Sequence, residues 1–348
     1  MPLTVAVDAN GADLGPAEVA AGAAAAAEQG VRVLLFGPAE EFGEVPPGVE
    51  IVDAPVSIAK AADPARAVRA TPEASIVQAA VAVGEGRADA LVSGGSTGAA
   101  LAASLFNIKR ASGVIRPALA VTIPMPEHPF TLLDAGANVE VRPEHLVQFG
   151  LMGAAFAQAV RGVARPRIGL LSNGEESVKG TSLVIEAHEQ LAARIAEGGA
   201  FEFVGNVEGT QVTQGVADVV VTDGFTGNVA LKLMEGVSET LMAAVRDAAM
   251  SSSRAKLGGV LLKPALRSFR DEIDPELSGG AYLLGLRRLG VVPHGRFSRV
   301  GIRQAILVAA RGAQEDVVGR THAALQEASA LRRIPAAASE PASTVASP

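Results

Sequence analysis

The chain has 348 residues, 49% of them hydrophobic, and a formal net charge of −7. That apolar content is ample for a large core, yet no apolar run approaches the roughly 18 residues of a membrane-spanning helix. The absence of cysteine excludes disulfides, thiolate metal sites and a cysteine nucleophile and fits the cytosol, while the acidic balance, one tyrosine and no tryptophan argue against a nucleic-acid partner.

The N-terminus enters a strand at once, over 3–8, with no basic and apolar leader segment ahead of it. Further strands are expected at 31–36, 49–52 and 88–93, with helices at 16–28 and 72–83 between them. Strands at 118–123 and 130–133 precede a helix at 143–160, then a strand at 167–171 and a helix at 182–196. Strands at 201–204 and 219–222 lead into a long helix at 227–250, and a last helix is expected at 300–311. This alternation predicts an α/β fold: a mostly parallel sheet flanked by helices, a Rossmann-like αβα sandwich. One domain is expected over 1–330, with a helical protrusion at about 238–275 and a disordered Ala/Ser/Pro-rich tail over 331–348. No internal repeat is visible.

Ligands of such sheets gather at the carboxyl ends of the strands, and the motifs cluster there. Asp8-Ala-Asn-Gly-Ala-Asp13 follows the first strand, bringing Asn10, Gly11 and Asp13 into a turn. Ser93-Gly-Gly-Ser-Thr-Gly-Ala99, with Ser96, Thr97 and Gly98, precedes a small-residue helix and has the geometry of an anion-cradling loop. Leu132-Leu-Asp-Ala-Gly-Ala-Asn138 ends its strand in Asp134 and Asn138, and Gly174-Glu-Glu-Ser-Val-Lys-Gly-Thr181 carries Lys179. Its order Lys-Gly-Thr is not the Gly-Lys-Thr of a P-loop, and no Gly-x-Gly-x-x-Gly follows the first strand. The most informative stretch runs from Val219 through Asp223, Gly227, Asn228 and Lys232 to Gly236. There a buried strand, a tight turn and a helix start, capped by Thr226, would offer free N–H groups and a positive dipole end. Asn228 and Lys232, one turn apart, would face an anion at that place, and phosphate is the first ligand to consider.

Gly94-x-Ser96-x-Gly98 matches a nucleophile elbow, with Asp134, Asp223 and His294 following in hydrolase order, although structural glycines around a capping serine explain the pattern equally well. The five histidines show no pair at metal-ligand spacing; His145 and His294 stand nearest the motif loops. No metal and no cofactor are expected. Two rival classes stay open on the residues alone: a serine hydrolase or thioesterase using Ser96, and a non-catalytic regulator that binds acyl groups or nucleotides.

In their order these motifs resemble the bacterial phosphate acyltransferases of phospholipid synthesis, which make acyl phosphate from acyl–acyl carrier protein and inorganic phosphate. The resemblance runs from Leu3 to about Arg311 and includes Asp8…Gly11-x-Asp13, Arg116-Pro-Ala-Leu119, His145-Leu-Val-Gln-Phe149, Gly205-Asn-Val-Glu-Gly209, Asp218…Asn228 and His294-Gly295. It implies that Lys179 and Asn228 belong to the active site, and Asn10, Gly11, Asp13, Ser96, Thr97, Gly98, Asp134, Asn138, His145, Asp223, Gly227, Lys232 and His294 are expected to bind substrate beside these catalytic residues. The sequence departs from the family at Asn10 (usually Met), Ala12 (Gly), Ser96 (Asn), Ala70 (Lys), Thr210-Gln211 (Arg-Asp) and Arg296-Phe297 (a small polar pair).

The chemistry suits these residue types. Phosphate is already an anionic nucleophile, and a thiol of pKa about 8.5 leaves readily, so a strong general base is dispensable. A lysine to hold phosphate and an amide to stabilise the developing oxyanion would suffice. The resemblance also implies a cytoplasmic homodimer, peripherally bound to the membrane, that passes its product to a membrane-bound glycerol-3-phosphate acyltransferase. The 254–270 stretch holds five basic residues and no acidic one, and Leu257, Val260, Leu261 and Leu262 form an apolar tip. That tip is expected on a bent helical hairpin around Gly258-Gly259 and Pro264, where it would meet an anionic membrane or a second subunit; the basic residues could also dock acyl carrier protein.

Overall fold

The structure is a computed structural model, and it describes residues 3–195 and 198–332. The first half comprises β1 (Thr4–Asp8), α1 (Pro16–Ala27), β2 (Arg32–Gly37), β3 (Val49–Asp53), α2 (Pro64–Ala70), α3 (Ser75–Gly84), β4 (Ala90–Ser93) and α4 (Thr97–Ala103). Then follow β5 (Ala118–Ile123), β6 (Phe130–Leu133), α5 (Pro143–Arg161), β7 (Arg167–Ser172), α6 (Ser182–Arg194), β8 (Glu202–Glu208) and β9 (Val219–Val221). The chain continues through α7 (Gly224–Met250), α8 (Ser253–Glu272), α9 (Pro275–Ser278), β10 (Ala281–Leu284), β11 (Leu289–Val292), α10 (Arg299–Gln314) and α11 (Val317–Glu327).

The eleven strands among the described residues form one sheet in the order β3-β2-β1-β4-β11-β10-β5-β6-β9-β7-β8. Seven of the ten pairings are parallel, but β10 is antiparallel to both β11 and β5, and β5 is antiparallel to β6. The sheet therefore contains two parallel blocks, β3-β2-β1-β4-β11 and β6-β9-β7-β8, that run in opposite directions. Period-2 alternation explains why the strands read as unbroken apolar runs. Val5 and Val7 of β1, Val219 and Val221 of β9, and Tyr282 and Leu284 of β10 join the core under α1, α5, α10 and α11. Ala6, Val220 and Leu283 join the core on the opposite face, beneath α3 and α4.

The β10–β11 hairpin, α2 and α11 were not legible. Each of those two strands spans only four residues, and they flank the turn containing Gly285, so neither shows a period. The helix expected from residue 72 begins at Ser75, because residues 64–70 form α2, capped by Asp63 through the Arg66 N–H at 3.0 Å. Leu331 and Arg332 belong to the body rather than to a tail: the Arg332 N–H donates to the Gly113 carbonyl at 2.9 Å. The remainder of the expected tail lies outside the described residues.

Helices α7 and α8 form the expected protruding hairpin, but it turns at Ser251–Ser252 rather than at the glycines or the proline. Ser252 caps α8 by accepting the Ala255 N–H at 3.1 Å, and Gly258, Gly259 and Pro264 lie inside a continuous helix. With no buried residue in α8, the carbonyl that Pro264 leaves without a helical donor has access to water.

Candidate active site

The two opposed blocks divide the motif loops into two groups instead of one cluster. Adjacent strands β6, β9 and β7 release the loops bearing Asp134, Asn228 and Lys179 at one edge. Strands β1, β4 and β11 release the Asn10, Ser96 and His294 loops, and their carboxyl ends point the other way.

In the first group Asp134 is completely buried, and its carboxylate is consumed by the chain. Oδ1 accepts from the N–H groups of Leu119 (2.9 Å), Gly136 (3.2 Å) and Ala137 (3.0 Å), and Oδ2 accepts from the N–H of Asn138 (2.7 Å) and its side chain (2.8 Å). Burial pushes the Asp134 carboxyl up and these donors pull it back. Asn138 also donates to the Pro117 carbonyl at 2.8 Å. These two side chains shape the loop and have little left for a ligand.

The helix start is likewise engaged. Asp223, not Thr226, is the cap: its carboxylate accepts from the Thr226 N–H at 2.8 Å and the Thr226 hydroxyl at 2.7 Å, while the Gly224 N–H donates to the Asn138 carbonyl. The expected row of free N–H groups is thus largely filled, because an aspartate already sits on the positive end of the dipole. Gly227 is buried where α7 crosses the 134–138 loop, and a Cβ there would collide with the Asp134 carbonyl oxygen. Asn228, next along and exposed, makes a long 3.3 Å bond from Nδ2 to the Ala135 carbonyl, one it can exchange for a ligand oxygen. Lys179 is exposed at the tip of the 174–180 loop and makes no ion pair among the described residues.

In the second group Asp8, at the end of β1, forms a network that reading by motif did not single out as functional. It is 2% exposed and accepts from the hydroxyls of Ser75 (2.5 Å) and Ser93 (2.7 Å) and from the Asn10 N–H (3.2 Å). Asn10 itself donates to Ser75 and to the Ala54 carbonyl. Gly11 has φ of 87° and passes so close to Ala59 that a side chain would clash. Ser96 caps α4 by accepting the Ala99 N–H at 3.1 Å; Thr97 and Gly98 open that helix, and Gly98 lies against Pro64. Among the described residues no histidine or carboxylate bonds to Ser96, so the hydrolase triad is not assembled there.

Burial lifts Asp8 from 3.8 to about 6, with the two serines and Asn10 opposing the shift. A carboxyl whose folded pKa is raised contributes stability that is fully present below the unfolded value and lost as pH rises through the folded one. The chain should therefore lose on the order of 3 kcal/mol of stability from this group between about pH 4 and pH 6. Asp8→Asn should remove that component, so that wild type and variant diverge in urea midpoint across the window. Parallel midpoints from pH 4 to 7 would refute the assignment.

Helix α7 connects the two groups. One turn beyond Asn228, Lys232 pairs with Glu235 at 2.8 Å and approaches His294 Nε2 at 3.5 Å. The Arg296 N–H donates to His294 Nδ1 at 3.3 Å, which puts the ring proton on Nε2, facing the ammonium. Burial first, then Lys232 and Arg296, push the imidazole pKa down. An anionic oxygen beside this pair would be within reach of both donors. The Asp13 N–H joins this edge by donating to the Gly295 carbonyl at 2.8 Å. His145 is apart from it: buried at the start of α5, it accepts the Arg142 N–H at 3.0 Å and serves as a cap. Among the described residues, no three His, Asp or Glu side chains converge as a metal site.

A family model described as "Fatty acid synthesis protein" matches residues 3–320. The phosphate acyltransferase of Pelotomaculum thermopropionicum is 42% identical over 314 residues, 88% of this chain and 90% of that protein. That of Heliobacterium modesticaldum is 42% identical over 334 residues, 93% of this chain and 97% of that protein. The chain belongs to the phosphate acyltransferase family. It is accordingly an acyltransferase of fatty acid and lipid synthesis. The crystal structure of a phosphotransacetylase from Streptococcus pyogenes shares the fold, with a TM-score of 0.62 and 18% identity over 90% of this chain and 94% of that one.

Against the phosphate acyltransferase pattern, the departures of this chain have local partners. Arg296 pairs with Glu239 of α7 at 3.0 Å, and buried Phe297 stacks on His294 at 6.2 Å between ring centroids, so the unusual pair ties the His294 loop to α7. Gln211 donates to Glu175 at 2.5 Å and accepts the Glu208 N–H at 3.0 Å, bracing the Lys179 loop without the usual aspartate.

Proposed function

We propose that this protein moves a fatty acyl group from acyl–acyl carrier protein to inorganic phosphate, releasing acyl phosphate for phosphatidic acid and phospholipid synthesis. The observation that supports the reading is that adjacent strands β7 and β9 release, at one edge of the sheet, a lysine that makes no ion pair among the described residues and an exposed amide, in a chain of this family. Lys179 holds phosphate as a point charge, a phosphate oxygen attacks the thioester carbonyl, Asn228 donates to the oxyanion, and the thiolate leaves as the C–S bond breaks. Lys232 of α7 and His294 of the loop after β11 supply a second pair of donors.

Incubation with an acyl carrier protein thioester, with and without phosphate, tests this. Acyl phosphate should appear with released thiol only when phosphate is present. Free fatty acid released without phosphate would overturn the proposal in favour of a hydrolase, and binding without turnover in favour of a regulator.

The same reading includes a homodimer that touches an anionic membrane peripherally. No helix among the described residues is long and apolar enough to cross a membrane. Phe225, Val229, Leu233, Val237, Leu241 and Val245 recur every fourth residue on α7, all exposed, and suit a second copy. On α8, Leu257, Val260, Leu261 (75% exposed) and Leu262 lie between Lys256 and Lys263. Each basic residue near an anionic surface adds about 1 kcal/mol, so binding should be reversible and salt-sensitive. Leu261→Glu/Leu262→Glu should abolish co-sedimentation with anionic vesicles and leave the dimer intact. Undiminished binding, or dissociation to monomers, would show that the tip is not a membrane anchor.

A further inference from the structure

We propose that Asn206, oriented by His188, is a positioning residue for Lys179. The inference rests on the reading of Lys179 as the phosphate anchor. Asn206 lies on β8, is 5% exposed, and directs its amide at the loop that follows the neighbouring strand β7. Its Nδ2 donates to the Glu176 carbonyl at 2.7 Å and to the Lys179 carbonyl at 3.4 Å. The Lys179 N–H in turn donates to the Glu176 carbonyl at 2.9 Å. One buried amide thus clamps both ends of the tight turn from which the lysine projects, in a loop whose residues 175–180 are otherwise exposed.

The other side of the amide is held as well. Asn206 Oδ1 lies 3.1 Å from His188 Nδ1 on α6, so that nitrogen carries the proton and donates. The His188 ring meets Phe203 edge to face at 5.0 Å, which fixes its plane. The register between β7 and β8 slips at Ile168/Gly169, which pair with Phe203 and Gly205 and leave Val204 as an extra residue. Such a bulge re-aims the side chains beyond it, and here Asn206 comes to face the loop. A buried amide whose donors serve two carbonyls of a single exposed turn is costly to leave unpaired, and the turn it secures carries Lys179.

A lysine reaches its ligand through four rotatable bonds, so a shift of about 1 Å in its backbone can cost up to 100-fold in rate. Asn206→Ala should therefore lower kcat/KM for phosphate by about 10- to 100-fold, mainly through KM, in a protein that still folds. Asn206→Asp keeps the size and replaces the donor by an acceptor facing two carbonyl oxygens, and should lose at least as much. The deciding measurement is the cycle with Lys179→Ala: in that background either substitution should change phosphate turnover less than about 2-fold. Calorimetric titration of inorganic phosphate gives the same comparison where turnover is too slow to follow. Near wild-type kinetics in both single variants, an equal loss with and without Lys179, or failure of both variants to fold would overturn the positioning role. Near wild-type activity of Lys179→Ala would instead remove the reading on which it rests.

Discussion

Lys179→Ala and Asn228→Ala are each expected to lower kcat/KM by about 100-fold or more while the fold survives. The magnitude is that of removing a single donor aimed at developing charge, about 3–4 kcal/mol of transition-state stabilisation. Neither side chain supports the core: both are exposed, Lys179 makes no ion pair among the described residues, and the single bond of Asn228 is long. Their unfolding midpoints should accordingly stay within about 0.5 kcal/mol of wild type. The two losses should differ in kind. Without Lys179 the KM for phosphate should rise, whereas without Asn228 kcat should fall, since the oxyanion exists only on the way through the tetrahedral intermediate. Ser96→Ala should do much less, because Ser96 caps α4 at 3.1 Å and a lost cap costs about 1 kcal/mol of stability. Wild-type rates in both Lys179 and Asn228 variants would sink the assignment, and abolition of activity by Ser96→Ala would restore the acyl-enzyme alternative.

Gly227→Ala should destabilise the protein and silence it together. The new methyl would run into the Asp134 carbonyl oxygen and come within 3.1 Å of Thr222 Cγ2. The loop cannot give way cheaply, because five donors hold the Asp134 carboxylate and the residue is fully buried. Helix α7 has to move instead, taking Asn228, the next residue, with it. A loss of about 3 kcal/mol or more in unfolding free energy is expected, at the upper end of overpacking costs. Gly236→Ala on the same helix is the control: nothing lies within 4 Å of its added methyl, and it should stabilise by about 1 kcal/mol through helix propensity. An unchanged urea midpoint for Gly227→Ala would mean that α7 does not press on that loop.

The strands were legible because burial on both faces of a parallel sheet leaves unbroken runs such as Val219–Val221, and the helices because Pro16, Pro143 and Ser182 open periodic segments. The site loops were legible as glycine, aspartate and asparagine at strand ends, where apolar pattern breaks off. The direction of a strand, by contrast, is written nowhere in its own residues. The reversal at β10 and β5, which parts the Asp8 and His294 edge from the Lys179 and Asn228 edge, follows from pairing between segments 162 residues apart along the chain, as Tyr282 with Ala120.

The chemical type of each loop residue was likewise fixed by sequence, but not where its polar atoms go. Asp134, Asn138 and Asp223 have the composition of a ligand site, yet their oxygens and amides are taken by backbone groups that the fold brings to within 2.7–3.2 Å. Asp8 and Asn206 look like ordinary strand residues, yet burial turns one into a carboxyl titrating at about 6 and the other into a clamp on the lysine turn. Sequence by itself determined the family, the layered architecture and the residue types at the strand ends. Tertiary structure decided which of them remain exposed for a ligand, because a buried donor or acceptor must find its partner in the chain, and that partner is set by packing between distant segments.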